Sequence, residues 1–246
     1  MIGFLVCEPY RLIYRPLPKC ASTTLFTLFA DLGGSRTSSQ QRDNLPVVRG
    51  VVSPGRGGSY VVKCPDRDVD DLMRRYEGYT RFSVVRDPYG RVVSNYFNKL
   101  NRYAKQFEPR VYLQVYLDQL FGGLTMNTSV EERLRRIQAR IPFERFVDGL
   151  RRHGVSWDIH VDLQTQYLRV DQIHYHHLVK MEQLVEGLRA VLVRTGNRET
   201  GDAAIARLGW LNRSAAADAH DPWTSSTREI AAATYRRDFE WLGYAP

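Results

Sequence analysis

The sequence predicts an α/β fold built on a mainly parallel sheet. Short apolar runs typical of buried strands alternate along the chain with stretches of helical periodicity. Two of these runs lead directly into a polar segment and then a helix, as strands do when helices join parallel neighbours. The chain has 246 residues, of which 43% are hydrophobic and 25% charged, and this suits a folded protein with a full core.

The first elements are separated by prolines and glycines. A strand is predicted over residues 11–17, whose strand-forming residues end at two prolines. A polar turn occupies residues 19–24, and the apolar pattern of residues 25–32 predicts a short helix that stops at Gly33. This succession of strand, polar turn and helix is the most informative local pattern in the chain.

The later elements follow the same alternation. Further strands are predicted over residues 60–64, 81–85 and 173–181. Helices are predicted over residues 66–76, from Pro88 onward, over 130–152 with a break at Pro142, over 182–196 and over 227–242. The polar residues 35–59 have no clear period, which is typical of a functional lid or loop.

The composition favours a protein that binds anions in a reducing compartment. The net charge of +8 attracts phosphorylated cofactors, nucleic acid, acidic glycans or anionic lipid, and the sign alone does not choose among them. Three widely spaced cysteines, Cys7, Cys20 and Cys64, form neither a disulfide framework nor a CxxC metal pair. The chain has no apolar run long enough for a spanning helix, and the short run at 2–7 does not resemble a secretory signal.

The turn at residues 19–24 is the first candidate anion site. A turn entering a helix directs backbone N–H groups at one point, where the helix dipole adds positive potential. Lys19 would add a full charge, and Ser22, Thr23 and Thr24 would add hydroxyl donors. The turn differs from an ATP-binding P-loop because its lysine comes first and it contains no glycine. The alternative is that the hydroxyls only cap the helix and the lysine is solvated.

Arg86 and Ser94 form the second candidate anion site. Arg86 ends the predicted strand 81–85, and Ser94 lies about two turns into the next helix. Open α/β sheets bind ligands at the carboxyl ends of their strands, so these side chains could hold a second phosphate. Taken alone, Arg86 could equally pair with Asp87 or cap a helix.

Together the two segments resemble a known family. PLPKCASTTL, at residues 16–25, resembles the 5′-phosphosulfate loop of the carbohydrate sulfotransferases. VVRDPYGRVVSNY, at residues 84–96, resembles their 3′-phosphate site. The resemblance is closest to the Golgi-type carbohydrate group, which is sulfotransferase family 2-like, and to its bacterial soluble relatives. Weaker likenesses occur at residues 157–168, 176–184, 211–214 and 235–244.

This resemblance implies an O-sulfotransferase that uses 3′-phosphoadenosine-5′-phosphosulfate (PAPS) and releases 3′-phosphoadenosine-5′-phosphate (PAP). It implies a P-loop-like three-layer fold, with a central mainly parallel sheet flanked by helices, forming a single domain over residues 1–246. Donor-binding residues would be Pro18, Lys19, Cys20, Ala21, Ser22, Thr23, Thr24, Arg86 and Ser94. Lys19 would also stabilise the leaving phosphate, and no metal is expected. Residues 35–59 and 104–130, which carry no likeness, are expected to be acceptor-binding or lid insertions.

The acceptor side is less defined by the sequence. His160, between Asp158 and Asp162, is the first candidate for the general base, because a carboxylate can orient an imidazole. His160 and Gln164 are expected to contact the acceptor, a hydroxyl-bearing carbohydrate or glycosylated metabolite. Glu8, Asp43 and Asp66 remain alternative bases. Cys20 departs from the small or β-branched residues that the family more often places in the turn, and space filling is the expected role.

Other functions remain open to the sequence. A P-loop-like nucleotide kinase would require a Gly-Lys-Ser/Thr turn and Mg²⁺, and the first of these is absent. The arginines of residues 130–152 could bind nucleic acid or an acidic glycan, but interleaved acidic residues favour a solvated helix face. A module that holds the nucleotide without turnover is the third alternative. The expectation is a cytoplasmic, bacterial-type enzyme without nucleic-acid partners, whose basic surface allows peripheral contact with anionic surfaces.

Overall fold

The computed structural model describes residues 2–34, 45–106, 142–207 and 221–246, and a few isolated positions between 129 and 139. The strands in these residues are β1 (Ile2–Cys7), β2 (Leu12–Arg15), β3 (Val47–Arg49), β4 (Ser59–Cys64), β5 (Thr80–Val85) and β6 (His177–Lys180). The helices are α1 (Ser22–Leu32), α2 (Val69–Arg75), α3 (Pro88–Gln106), α4 (Phe143–His153), α5 (Gln164–Leu168), α6 (Leu184–Arg194), α7 (Arg198–Ala206), α8 (Ser225–Thr234) and α9 (Arg236–Leu242). Asp43, the likeness at 211–214 and much of both expected insertions lie outside the described residues.

The chain divides into two compact units, each made of two chain segments. The first, here called the sheet unit, consists of Met1–Asp87 and Gln164–Arg213 and holds all six of these strands. The second, here called the helical unit, consists of Pro88–Leu163 and Ser214–Pro246. The expectation of a single domain over the whole chain stays a prediction.

The sheet unit confirms the predicted α/β class. Its strands lie in the order β3-β4-β1-β2-β5-β6. β1 pairs antiparallel with both β2 and β4, whereas the other neighbouring pairs are parallel. Five of the six strands therefore run in one direction, and the sheet is mainly parallel as expected.

Strand β1 is one of the elements that the sequence did not predict, together with β3, α5 and α7. Its residues form a nearly continuous apolar run, which periodicity alone cannot separate from a helical segment or a leader. The chain then reverses through residues 8–11, where Arg11 adopts a left-handed conformation with φ of 49°. Only the antiparallel register, in which Leu5 faces Tyr14, identifies the run as a strand.

Both faces of the sheet are covered within the sheet unit. On one face, Phe4, Ile13 and Val62 pack with Leu72 of α2 and with Tyr76, the residue that follows this helix. On the other, the rings of Tyr14 and Phe82 stack at 5.1 Å and both approach Phe29 of α1. Helix α6 covers that same face, because its Gly187 lies against Val179 of β6. The unit thus has the three layers that were expected.

The helical unit has a core of its own. Val92, Val93 and Tyr96 of α3 pack with Phe143, Phe146 and Val147 of α4 and with Tyr235 and Phe239 near the C-terminus. Helix α4 begins directly after Pro142, as predicted. The long helix predicted over 227–242 is two helices, because the chain leaves helical geometry at Tyr235. The hydroxyl of Tyr235 donates to the carbonyl of Val161 at 2.7 Å.

Glu8 organises the glycine-rich loop at residues 53–58. Its carboxylate accepts hydrogen bonds from the backbone N–H groups of Gly55, Arg56 and Gly57 at 2.6–3.1 Å and from the Tyr60 hydroxyl at 2.5 Å. Gly55 and Gly57 have φ of 117° and 72°, which lets the N–H groups converge. Burial opposes ionisation of Glu8, but the bonds from Tyr60 and the three N–H groups outweigh it and lower the pKa of this carboxyl.

Glu8→Gln should reduce stability in a pH-dependent way. Because the folded-state pKa lies below the ordinary value of 4.5, the carboxylate contributes stability above that pH and loses it as the pH falls through the folded-state pKa. Urea midpoints of wild type and variant should therefore differ at neutral pH and converge in acid. Glu77→Gln, which alters an exposed carboxylate of the same unit, should show no such gap. A gap for Glu8→Gln that stays constant with pH would contradict this role.

Candidate active site

The turn between β2 and α1 has an unusual backbone. Lys19 and Ala21 both lie in the left-handed region, with φ of 68° and 53°, which is costly for residues other than glycine. The Cys20 N–H donates to the Leu17 carbonyl at 3.3 Å. Backbone N–H groups in such a turn face a common concave side, and the N-terminus of α1 adds its dipole there. This local geometry suits an anion.

The hydroxyl and thiol groups of the turn hold its shape. The Ser22 hydroxyl donates to the Leu17 carbonyl at 2.6 Å, and the N-cap residue Ala21 makes no side-chain capping bond. In this contact the Ser22 hydroxyl donates to a carbonyl before the helix and does not cap an N–H group of α1. Cys20 is fully buried, and its thiol lies 3.6 Å from the Gln164 amide oxygen. Its position agrees with the expected space-filling role.

Gln164 fixes the end of strand β5. Its side chain is fully buried, its Oε1 accepts from the Arg86 N–H at 3.0 Å, and its Nε2 donates to the Arg86 carbonyl at 2.7 Å. Both halves of the amide are thus used on one residue of the backbone. This geometry favours a positioning role for Gln164 over the direct contact with an acceptor that the sequence suggested.

Arg86 reaches the Lys19 turn. It follows β5 directly, and its Nη1 donates to the Lys19 carbonyl at 3.4 Å. Because β2 and β5 are parallel neighbours, the turn that follows β2 and the arginine that follows β5 lie at the same edge of the sheet. The sheet unit therefore brings together Lys19, Cys20, Arg86 and Gln164, all of which the sequence had singled out.

Arg15 is a buried cation that the sequence reading missed. It is 5% exposed and lies between the rings of Phe4 and Tyr167, with its Cζ 5.4 Å and 4.4 Å from their centroids. Its guanidinium donates to the carbonyls of Gly3 at 2.8 Å and Tyr167 at 3.4 Å. In the described part of the chain it forms no ion pair, so its charge adds to the positive potential at this edge. The sequence feature that could have identified Arg15 is its position among the apolar residues of a predicted strand.

His160 and Asp158 form a dyad in the helical unit. The buried carboxylate of Asp158 lies 2.7 Å from the His160 Nδ1 and also accepts from the His160 N–H at 2.8 Å. An ionised carboxylate can only accept, so in the neutral form of the imidazole the proton lies on Nδ1 and the lone pair on Nε2. Asp162, the other expected neighbour, instead accepts from the Leu163 N–H at 2.9 Å, and burial raises the pKa of its carboxyl.

Two buried side chains hold the segment that carries His160. Arg91, which is 2% exposed, donates to the carbonyls of Asp162 at 2.6 Å and Ile159 at 3.1 Å. Tyr235 donates to the carbonyl that lies between them in sequence, that of Val161. These contacts fix the backbone on both sides of the imidazole. They were not predicted, because nothing in the local sequence pairs Arg91 or Tyr235 with residues so far along the chain.

Ser94 and Arg86, the two candidates for the second phosphate, belong to different units. Ser94 lies on α3 in the helical unit and is half-buried. Its pairing with Arg86 around one phosphate stays a prediction.

Within the described residues, no group of three or more metal-ligating side chains is brought together. No helix in those residues has both the length and the apolar character needed to cross a membrane.

An α/β protein with a left-handed turn that suits an anion at the carboxyl edge of its sheet is the class that these features define. The chain matches the sulfotransferase family over residues 3–245, which spans both units. It therefore belongs to the sulfotransferase family, whose members transfer a sulfuryl group. A search of curated proteins and a search of solved structures found no match.

Gln164→Glu should destabilise the protein by about 1–3 kcal/mol, because a carboxylate oxygen would face the Arg86 carbonyl where the amide now donates. The protonated acid could still donate to that carbonyl, so the loss should be larger at neutral than at acidic pH. Gln166→Glu, an exposed change in the same helix, serves as the control. Denaturant unfolding of both variants measures the difference, and equal stability of Gln164→Glu and Gln166→Glu would contradict the positioning role.

Proposed function

We propose that the chain is a PAPS-dependent O-sulfotransferase that modifies a hydroxyl of a carbohydrate or of a glycosylated or small-molecule acceptor. The observation that carries the proposal is the approach of Arg86, fixed by Gln164, to the left-handed Lys19 turn. One anion-binding turn and one strand-end arginine suit a nucleotide that is phosphorylated at two positions. Family membership supplies the reaction class, sulfuryl transfer.

The turn at residues 18–24 is proposed to hold the 5′-phosphosulfate. In this proposal, the backbone N–H groups of the turn and the Lys19 ammonium contact the negative oxygens of the phosphosulfate. The N-terminus of α1 adds the positive end of its dipole. Arg86, together with Ser94, is proposed to hold the 3′-phosphate. A guanidinium suits this task because its fork donates two hydrogen bonds to one phosphate.

The proposed reaction is an in-line displacement at sulfur. The acceptor oxygen forms a new bond to the sulfuryl sulfur while the bond from sulfur to the bridging oxygen breaks. The electron pair of that bond stays on the bridging oxygen, which becomes part of the 5′-phosphate of PAP. Lys19 and the turn stabilise this oxygen as its negative charge develops. The acceptor proton moves to the base.

His160 is the proposed base. Its Nε2 can accept the proton, and the Asp158 carboxylate stabilises the imidazolium that results. The other candidate bases within the described residues, Glu8 and Asp66, are less suited to accept the proton. Glu8 already accepts from three backbone N–H groups and a tyrosine, and Asp66 is paired with Arg169. The carbohydrate acceptor and the cytoplasmic location remain predictions from the sequence.

Lys19→Ala and Arg86→Ala should each reduce sulfate transfer from labelled PAPS by at least about 100-fold. Arg86→Ala should act mainly by weakening PAP binding, measured by calorimetry, because it removes a phosphate contact. Lys19→Ala should act mainly on turnover, because it removes a cation from the leaving oxygen. Arg74→Ala, an exposed arginine of the same unit, is the control, and circular dichroism checks folding. Undiminished transfer in either site variant would refute the donor assignment.

His160→Ala should reduce turnover by about 10²–10⁴-fold, as removal of a general base does. Asp158→Asn should cause a smaller loss, because the ring is no longer held by a charged acceptor. Asp162→Asn is the matched control, since this carboxylate bonds to a backbone N–H and not to His160. Steady-state kinetics at saturating PAPS distinguishes the three. Normal turnover of His160→Ala, or equal losses for Asp158→Asn and Asp162→Asn, would remove the dyad from the mechanism.

A further inference from the structure

Trp157 and Ile159 are exposed apolar side chains that are next in sequence to the residues of the His160–Asp158 dyad. Trp157 is 39% exposed and Ile159 is 50% exposed. Of the five large apolar side chains exposed in the described residues, these are the two closest in sequence. The residue between them in sequence, Asp158, is the buried partner of His160, so the two exposed residues lie on either side along the chain of the one whose carboxylate orients the imidazole.

The indole of Trp157 is fixed at its polar edge. Its Nε1 donates to the Gly154 carbonyl at 2.7 Å, so the donor of the ring is used inside its own turn. What the exposed part of the ring offers to a ligand is therefore its apolar face.

The backbone around Trp157 is also held in place. The carbonyls of Ile159 and Asp162 accept from Arg91, and that of Val161 accepts from Tyr235. The N–H groups of Val161 and Asp162 both donate to the Asp158 carbonyl at 2.9 Å. A rigid aromatic surface loses little conformational entropy when a ligand binds to it.

We propose that Trp157 and Ile159 form the acceptor-binding surface, and that the Trp157 ring stacks on the apolar face of a sugar ring. The inference rests on the proposed function, because it takes His160 as the base. A pyranose has an apolar face of C–H groups and carries its hydroxyls at the edge, so stacking would leave a hydroxyl available to the Nε2 of His160. A base oriented by a buried carboxylate also suits a sugar hydroxyl, because an alkyl hydroxyl is less acidic than a phenol and depends more on a base for loss of its proton.

The test compares Trp157→Ala, Trp157→Phe and Trp241→Ala in the full chain. Trp241 is a similarly exposed tryptophan, at 52%, on α9 of the same unit. Transfer from labelled PAPS is measured to oligosaccharides of chitin, cellulose and hyaluronan, and in parallel to 4-nitrophenol and long-chain alcohols. The expected result is transfer to at least one saccharide, with a KM for it about tenfold higher in Trp157→Ala, partial recovery in Trp157→Phe and no change in Trp241→Ala. PAP affinity should stay near the wild-type value in all three variants.

Other outcomes separate the two proposals. Transfer to the phenol or the alcohols with none to any saccharide overturns the acceptor inference and leaves sulfuryl transfer intact. An unchanged acceptor KM in Trp157→Ala overturns it as well. A loss of PAP affinity in Trp157→Ala assigns the indole to the donor instead and also overturns it. Failure of the wild-type protein to bind PAP, or to transfer sulfate to any acceptor, refutes the proposed function itself and with it the inference.

Discussion

The two hydrogen bonds between the Gln164 amide and the backbone of Arg86 are the contact on which the sheet-unit site depends. A backbone N–H and carbonyl just beyond the end of a strand have lost their sheet partners, and in a buried position they need others. At neutral pH an amide side chain supplies both a donor and an acceptor with that spacing without carrying a charge. Once the backbone of Arg86 is fixed, its guanidinium is directed at the Lys19 carbonyl.

The helical unit uses the same principle around His160. Arg91 and Tyr235 are almost fully buried, and they donate to the carbonyls of Ile159, Val161 and Asp162, on either side of the imidazole. In both units, buried polar groups act on backbone atoms, and the side chain that would meet a ligand extends from the fixed backbone. Losing one partner would leave another buried polar group unsatisfied, so such supports are also costly to remove.

The sequence could predict the features that are local in the chain. Pro88 begins α3, Pro142 precedes α4, and Arg86 ends a strand, because each depends on a few adjacent residues. The resemblance also paired the turn at Lys19 with Arg86, and these two do lie together, although their binding of the donor stays a prediction. The sequence could not predict the hydrogen bonds that fix the backbone at these sites. Gln164 lies 78 residues from Arg86, and Arg91 lies 71 and 68 residues from the carbonyls to which it donates. A glutamine or an arginine gives no local sign of such a partner, and strand β1 is likewise defined by its antiparallel pairing and not by its own pattern.

The backbone strain in the turn explains why it can work without glycine. Left-handed Lys19 and Ala21 each cost of the order of 1–3 kcal/mol, and such residues persist only where their surroundings impose the conformation. Here the surroundings are the Ser22 and Cys20 contacts with Leu17 and the burial of Cys20 against Gln164. Glycine at these positions would relieve the strain, but it would add about 0.4–1 kcal/mol of entropy to the unfolded chain and loosen the turn. It would also remove the ammonium of Lys19. In the proposed mechanism, a strained turn with a lysine therefore keeps both the charge and the rigid donor geometry that the bridging oxygen requires. On that proposal Gln164, which contacts the turn at Cys20 and fixes Arg86, is a structural condition for catalysis.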